Sequence, residues 1–208
     1  MKKLVYAFLA LAFLMPGFAS AKTQLEKVRE KAYKTKLKEY KKEGWKSMSS
    51  KPMDLVLLEH YDKLAKLGDD GKEYDGTASR VKSKNVGQQM AANNAITKYA
   101  RLAGSTLQGR VVADMSGNAS DATGEFDNFY AAYESLVEKE MKGELEPSFT
   151  IYRDNGDGTI EVQSFFIVQE SAAQKARLRA LEEAMKNSQV AADHAQKISD
   201  FVRQGIGD

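Results

Sequence analysis

Apolar residues recur at helical spacing along most of the chain and alternate, strand-like, in one stretch toward its end. From Thr23 to Lys42, the residues Leu25, Val28, Ala32, Tyr33, Leu37 and Tyr40 share one stripe, with lysines and an arginine elsewhere. This is the pattern of an amphipathic helix. Gly44 ends it, Trp45 follows, and Lys46 to Lys51 is polar and loop-like. Pro52 suits the first turn of a second helix. Its expected apolar face is Leu55, Leu58, Tyr61, Leu64, Ala65 and Leu67, and Gly68 to Gly71 stops it. Glu73 to Lys84 reads as a strand. Asn85 is placed to cap a long helix from Val86 to Met115, with the small residues Ala91, Ala92, Ala95, Ala100 and Ala103 on its face. Small side chains let a helix approach its neighbour closely. Gly104 and Gly109 each cost about 1 kcal/mol against alanine inside a helix, so close packing or a bend is expected there.

Phe126 to Met141 is again helical. Phe149, Ile151 and Tyr152 then mark a strand over Pro147 to Arg153. Ile160, Val162, Ser164, Phe166 and Val168 alternate along a second strand, Thr159 to Gln169. The cluster Asp154-Asn155-Gly156-Asp157-Gly158 between them predicts a hairpin. Phe165 and Ile167 make the second face of that strand apolar at its distal end, so cover on both sides, or a partner, is expected there. Ser171 and Gln174 resemble a capping box. Leu178, Leu181, Met185, Ala192, Ala195 and Val202 then approximate a seven-residue repeat, interrupted by Ser188. A single helix of roughly 34 residues would span about 50 Å, long enough to project and pair with the N-terminal helix or another subunit.

The first 21 residues change the picture. Lys2 and Lys3 precede an uncharged apolar run from Leu4 to Leu14, Pro16 and Gly17 break it, and Ala19 and Ala21 supply small residues at the −3 and −1 positions before Lys22. This is the three-part pattern of a cleaved secretory signal. The run is shorter than the roughly 20 apolar residues of a spanning helix. The expected location is the periplasm or cell surface of a Gram-negative bacterium. The chain has no cysteine, so disulfides do not supply its stability in that oxidising compartment.

Charge is bipolar. Lys22 to Lys51 holds 11 basic and 4 acidic residues, and Pro52 onward 18 basic and 25 acidic. The basic residues of the first helix are Lys27, Arg29, Lys31, Lys34, Lys36, Lys38, Lys41 and Lys42. Export argues against nucleic acid as their partner. Two readings remain: a solvated face, or one lying against the acidic body, as charge runs commonly do; and a contact for anionic lipid or lipopolysaccharide phosphate.

Catalytic motifs are missing. There is no cysteine nucleophile, no G-x-S-x-G, no H-E-x-x-H and no G-x-x-x-x-G-K-[ST]. His60 and His194 stand apart, each without a second ligand at metal spacing. Read as a calcium loop from Asp154, the hairpin cluster would place glycines at the third and fifth positions, which supply no side-chain ligand. A tight turn fits the same residues. Neither metal nor cofactor is implied, and an enzyme with an unrecognised site stays as the third alternative.

The segments AANNAITKYARLAGSTLQGRVV and FTIYRDNGDGTIEVQSFFIV, within Glu73 to Gln169, together resemble the Helicobacter Lpp-type outer-membrane lipoprotein domain and the related N-terminal domain of flagellar assembly protein T. KKEGWK before the second helix is similar to a recurrent feature of exported Bacteroidetes relatives. The resemblance implies an Ala-rich helix packed on a small antiparallel sheet, in an envelope-associated and mostly non-enzymatic protein. The lipidation cysteine of those lipoproteins is missing, so acyl attachment does not carry over.

The expectation is therefore an α+β fold. A small antiparallel sheet of about three strands packs on a long Ala-rich helix, with further long helices at both ends. The segments are a signal at 1–21, a basic helix and linker at 22–51, the α+β body at 52–169 and a long helix at 170–208. The expected function is that of an exported structural or interaction protein. Its long helices are the expected contacts for a second copy or an envelope protein, and its basic helix the expected contact for an anionic surface.

Overall fold

The computed structural model describes residues 24–115 and 123–206. The signal pattern, with Ala19, Ala21 and Lys22, lies outside the described residues. The described chain runs α1 (Gln24–Lys42), β1 (Lys46–Ser47), α2 (Met53–Leu67), a 3-10 turn (Gly68–Asp70), β2 (Gly71–Val81), α3 (Lys84–Met115), α4 (Thr123–Met141), β3 (Glu146–Asp154), β4 (Ile160–Gln169), α5 (Glu170–Met185), α6 (Gln189–Asp193) and α7 (Ala195–Arg203).

The fold is α+β, and its one sheet is antiparallel with strand order β1-β3-β4-β2. It has four strands rather than about three. The fourth is the two-residue β1, where Lys46 and Ser47 pair with Tyr152 and Ile151. The hairpin forms as expected. Gly156 and Gly158 both take φ 81°. The Asp157 carboxylate accepts from the backbone N–H and the hydroxyl of Thr159, which commits it to holding the turn.

Alternation along the strands sends residues to two different layers. Val162, Phe166 and Val168 of β4 face the α3 side, where Ala91, Ala95 and Tyr99 are buried. Gly76 of β2 lets α3 come close. A Cβ there would lie 2.0 Å from the carbonyl oxygen of Ala91 and 2.4 Å from the backbone nitrogen of Ala95. The small-residue face of α3 thus does what its composition suggests. Beyond the sheet, Ala103, Leu107 and Val111 continue into a helical layer with Phe129, Tyr133 and Val137 of α4 and Ala180, Ile198 and Val202 of the C-terminal helices.

The opposite sheet face is covered too. Phe149, Ile151 and Phe165 pack beneath Tyr33, Leu37 and Tyr40 of α1 and Met53, Leu57 and Tyr61 of α2. Phe149 stacks on Phe165 with ring centres 4.3 Å apart. The apolar second face of β4 is therefore covered from within the chain.

The C-terminal segment departs from expectation. It is three helices that fold back, not one long rod. The chain turns at Lys186–Asn187, and Ser188 caps α6 by accepting from the Ala191 N–H. The residue that interrupts the heptad is thus the start of a new helix. Arg110 of α3 donates to the carbonyls of Phe201 and Gly205, satisfying the orphan acceptors at the end of α7. Accordingly α1 packs on α2, and α7 on α3 and α5. The predicted capping box also gives way. α5 begins at Glu170, and Asp70 reaches from the 3-10 turn to accept from the N–H and hydroxyl of Ser171. Gln174 instead donates to the Arg203 carbonyl.

Burial raises the phenol pKa of Tyr40, Tyr99, Tyr130 and Tyr133 above the usual 10.0, that of Tyr130 to about 12. Unfolding frees these groups to ionise near pH 10, while the folded chain holds their protons. The stability they contribute is complete below pH 10 and declines as pH rises through the raised folded values. The unfolding midpoint in urea should stay level up to about pH 10 and fall above it. In Tyr130→Phe that alkaline fall should be shallower.

Candidate functional site

Two features of the α1–α2 layer bear on function: the outer surface of α1 and the cleft beneath it.

Tyr33, Leu37 and Tyr40 recur at i, i+4 and i+7 and turn toward the sheet. Lys31, Lys34, Lys38, Lys41 and Lys42 are exposed on the rest of the helix. Glu30, Lys31, Lys34, Thr35 and Lys38 line one shallow open surface. Lys36 does not join them. It points toward the cleft, 3.4 Å from Glu39 and 5.7 Å from the centre of the Tyr40 ring. Lys27 and Arg29 lie in the first turns of α1, and their side chains are outside the described set. Among the described residues, the ion pairs made by lysines of α1 are with Glu30 and Glu39 of the same helix. No ion pair among the described residues joins these lysines to the acidic body.

The cleft lies between α1, α2 and the sheet and has a volume of about 250 Å³. Its walls carry Tyr40, Trp45, Tyr61, Phe149 and Phe165, together with Glu39, Glu43, Glu73 and Asp75. The KKEGWK segment builds one end. Gly44 at φ 76° stops α1, and Trp45 turns in to meet Tyr40 edge-on at 6.4 Å. The Trp45 indole N–H donates to Glu43, and the Arg153 guanidinium lies 4.7 Å above the indole ring.

His60 anchors the other end. It is 1% exposed. Its Nε2 lies 2.5 Å from Glu73 Oε2, and its Nδ1 lies 2.7 Å from Ser148 Oγ. Both ring nitrogens are thus hydrogen-bonded, Nε2 to the Glu73 carboxylate and Nδ1 to the Ser148 hydroxyl. The buried side of α2 is accordingly Val56, Leu57 and His60, while Leu55 and Leu58 are exposed. That side is rotated from the stripe of leucines that spacing suggests. Ser148 sits where the β3–β4 register shifts between Pro147 and Phe149. It does not line the cleft, whereas Glu73 and the His60 ring do. The Ser148–His60–Glu73 line ties α2 to the sheet.

No protein-family model, curated protein or solved structure matches the chain.

The electrostatics of the cleft follow from its walls. Burial raises the Tyr40 phenol pKa, and the negative charges of Glu73, Glu39 and Asp75 push it further. Tyr61 is raised by burial and then by Glu73 and Glu39. Burial works to raise Asp75, but hydrogen bonds from Lys98 and Gln163 outweigh it and leave the carboxyl below its ordinary value. His194 contributes to neither feature. It is exposed beside Phe126, at the junction of α6 and α7. Among the described residues no group of three or more His, Asp or Glu is arranged to hold a metal ion, and no helix is long and apolar enough to cross a membrane.

Sequence reasoning missed the cleft because its parts come from α1, α2, β2, β3 and β4. One signal was present. Along β2, Tyr74, Gly76 and Ala78 alternate with Glu73, Asp75 and Thr77, which assigns two carboxylates to the face away from α3.

Proposed function

We propose that this is an exported, non-enzymatic interaction protein of the cell envelope, and that the outer face of α1 is its contact with an anionic surface such as lipid or lipopolysaccharide phosphate. One observation carries the reading. Tyr33, Leu37 and Tyr40 of α1 pack on the protein's own sheet, while Lys31, Lys34 and Lys38 are exposed, and among the described residues the ion pairs of α1 lysines are with acids of the same helix. Each such lysine near an anionic leaflet contributes about 1 kcal/mol. The resemblance to envelope lipoprotein domains supports the same reading, with the lysine face in place of the missing acyl chain.

The mature chain should sediment with vesicles containing phosphatidylglycerol, not with pure phosphatidylcholine. Binding should fall steeply between low salt and physiological salt, where the screening length is about 8 Å. Equal binding to neutral vesicles, or binding indifferent to salt, would contradict it. Deleting α1 is the wrong test, because it uncovers Phe165 and Ile151.

A further inference from the structure

In the helical layer, a small cavity lies where the end of α7 meets α3, α4 and α5. Its volume is about 10 Å³, and its lining includes Thr106 and Arg110 of α3, Tyr133 of α4, Arg177 of α5, and Gly205. We propose that it binds one small monovalent anion of the size of chloride. The first observation is an unmet donor. Arg177 is buried, and its guanidinium donates through Nη2 to Glu170 and through Nη1 to the Tyr99 hydroxyl. Its Nε–H is buried without a hydrogen-bond partner, the only such side-chain atom among the described residues. Buried polar groups nearly always have a partner, so this donor calls for an acceptor that the chain does not supply.

The second observation is the sign of the charge. Arg110 and Arg177 are the charged residues of the lining, and no carboxylate joins them. Glu170 balances Arg177 from outside the lining. Arg110 donates to the carbonyls of Phe201 and Gly205, which keeps those oxygens from turning the cavity negative. The acid one turn along α3, Asp114, is paired with Lys197. The Arg110 charge is therefore left over. Tyr133 senses the same field: burial raises its phenol pKa, and Arg177 and Arg110 pull against that rise with no carboxylate opposing them. The third observation is size. A cavity of about 10–15 Å³ holds one water-sized guest, which admits a halide and excludes sulfate, phosphate or an organic carboxylate. Thr106 and Tyr133 add hydroxyl donors to the lining, and a buried ion needs such hydrogen bonds as well as opposite charge. A water molecule would also fit the space, but it would leave the Arg110 charge unmatched.

The test follows the arginine Nε–H signals of residues 22–208 by nuclear magnetic resonance while chloride replaces gluconate at constant ionic strength. The Arg177 signal, assigned through the carbons of its own side chain, should move saturably. Those of the exposed Arg101 and Arg203 should stay in place. Bromide should reproduce the movement and sulfate should not. Thr106→Val keeps the shape of the side chain and removes one hydroxyl donor. It should weaken chloride binding about tenfold, the scale of one hydrogen bond to a charged group. An Arg177 signal indifferent to chloride would assign the cavity to water and overturn the proposal. An equal response to sulfate, or unchanged chloride affinity in Thr106→Val, would overturn it too.

Discussion

Gly76→Ala lowers the folding stability by about 3 kcal/mol or more, beyond the ordinary range for an added methyl. The atoms in the way are the Ala91 carbonyl oxygen and the Ala95 backbone nitrogen. They belong to the main chain of a helix and cannot swing aside as a side-chain tip would. The strand and α3 must separate, and Ala91, Ala95 and Tyr99, all fully buried, lose contact with the sheet. Gly109→Ala is the internal control. It lies in the same helix, and its added Cβ meets nothing within 4 Å. There the helix propensity of alanine should stabilise the protein by about 0.5–1 kcal/mol. Urea unfolding of the two variants checks both signs. Equal and small effects would mean that β2 and α3 are not in backbone contact.

The second large effect concerns Arg177. It is 1% exposed, pairs with Glu170 at 2.5 Å and donates to the Tyr99 hydroxyl. Arg177→Ala removes the guanidinium and strands Glu170, and breaking a buried pair in this way costs about 3–5 kcal/mol. Glu170 keeps a side-chain exposure of 24%, so the lower end of that range is expected. The double change Arg177→Met with Glu170→Gln should recover most of the loss. It fills the space, leaves no lone charge, and removes the Arg177 Nε, which is buried without a hydrogen-bond partner. Denaturant midpoints of the single and double variants decide it. A double variant as unstable as Arg177→Ala would show that the charges themselves stabilise the core.

The residues explain what was legible and what was not. Local signals gave α1, the stop at Gly68, the long Ala-rich α3, and the β3–β4 hairpin around Gly156 and Gly158, because turn chemistry and periodicity act over a few residues. The same logic failed wherever a distant residue did the work. Ser171 looked like a cap, but Asp70, 101 residues away, supplies the capping oxygen. Ser188 looked like a flaw in a long helix, yet its hydroxyl starts a new one. Counting apolar residues put Leu55 and Leu58 inside and left His60 without a role. The polar ring is the buried one, because Glu73 and Ser148, at separations of 13 and 88 residues, satisfy both nitrogens. The cleft shares that origin, as it forms only when α1 and α2 close over β2, β3 and β4. For the basic helix, spacing alone could not separate Lys36, drawn to Glu39 and Tyr40, from the lysines that face outward.

The outward lysines Lys31, Lys34 and Lys38 carry the proposed contact with an anionic surface. The decisive measurement is sedimentation with phosphatidylglycerol vesicles at low salt, comparing residues 22–208 with the same segment carrying Lys31→Glu, Lys34→Glu and Lys38→Glu. All three residues are exposed, so the fold should survive. At about 1 kcal/mol per lysine, the variant should bind about a hundredfold more weakly or not at all. A folded variant that sediments as the parent does would contradict the assignment of this face to an anionic surface.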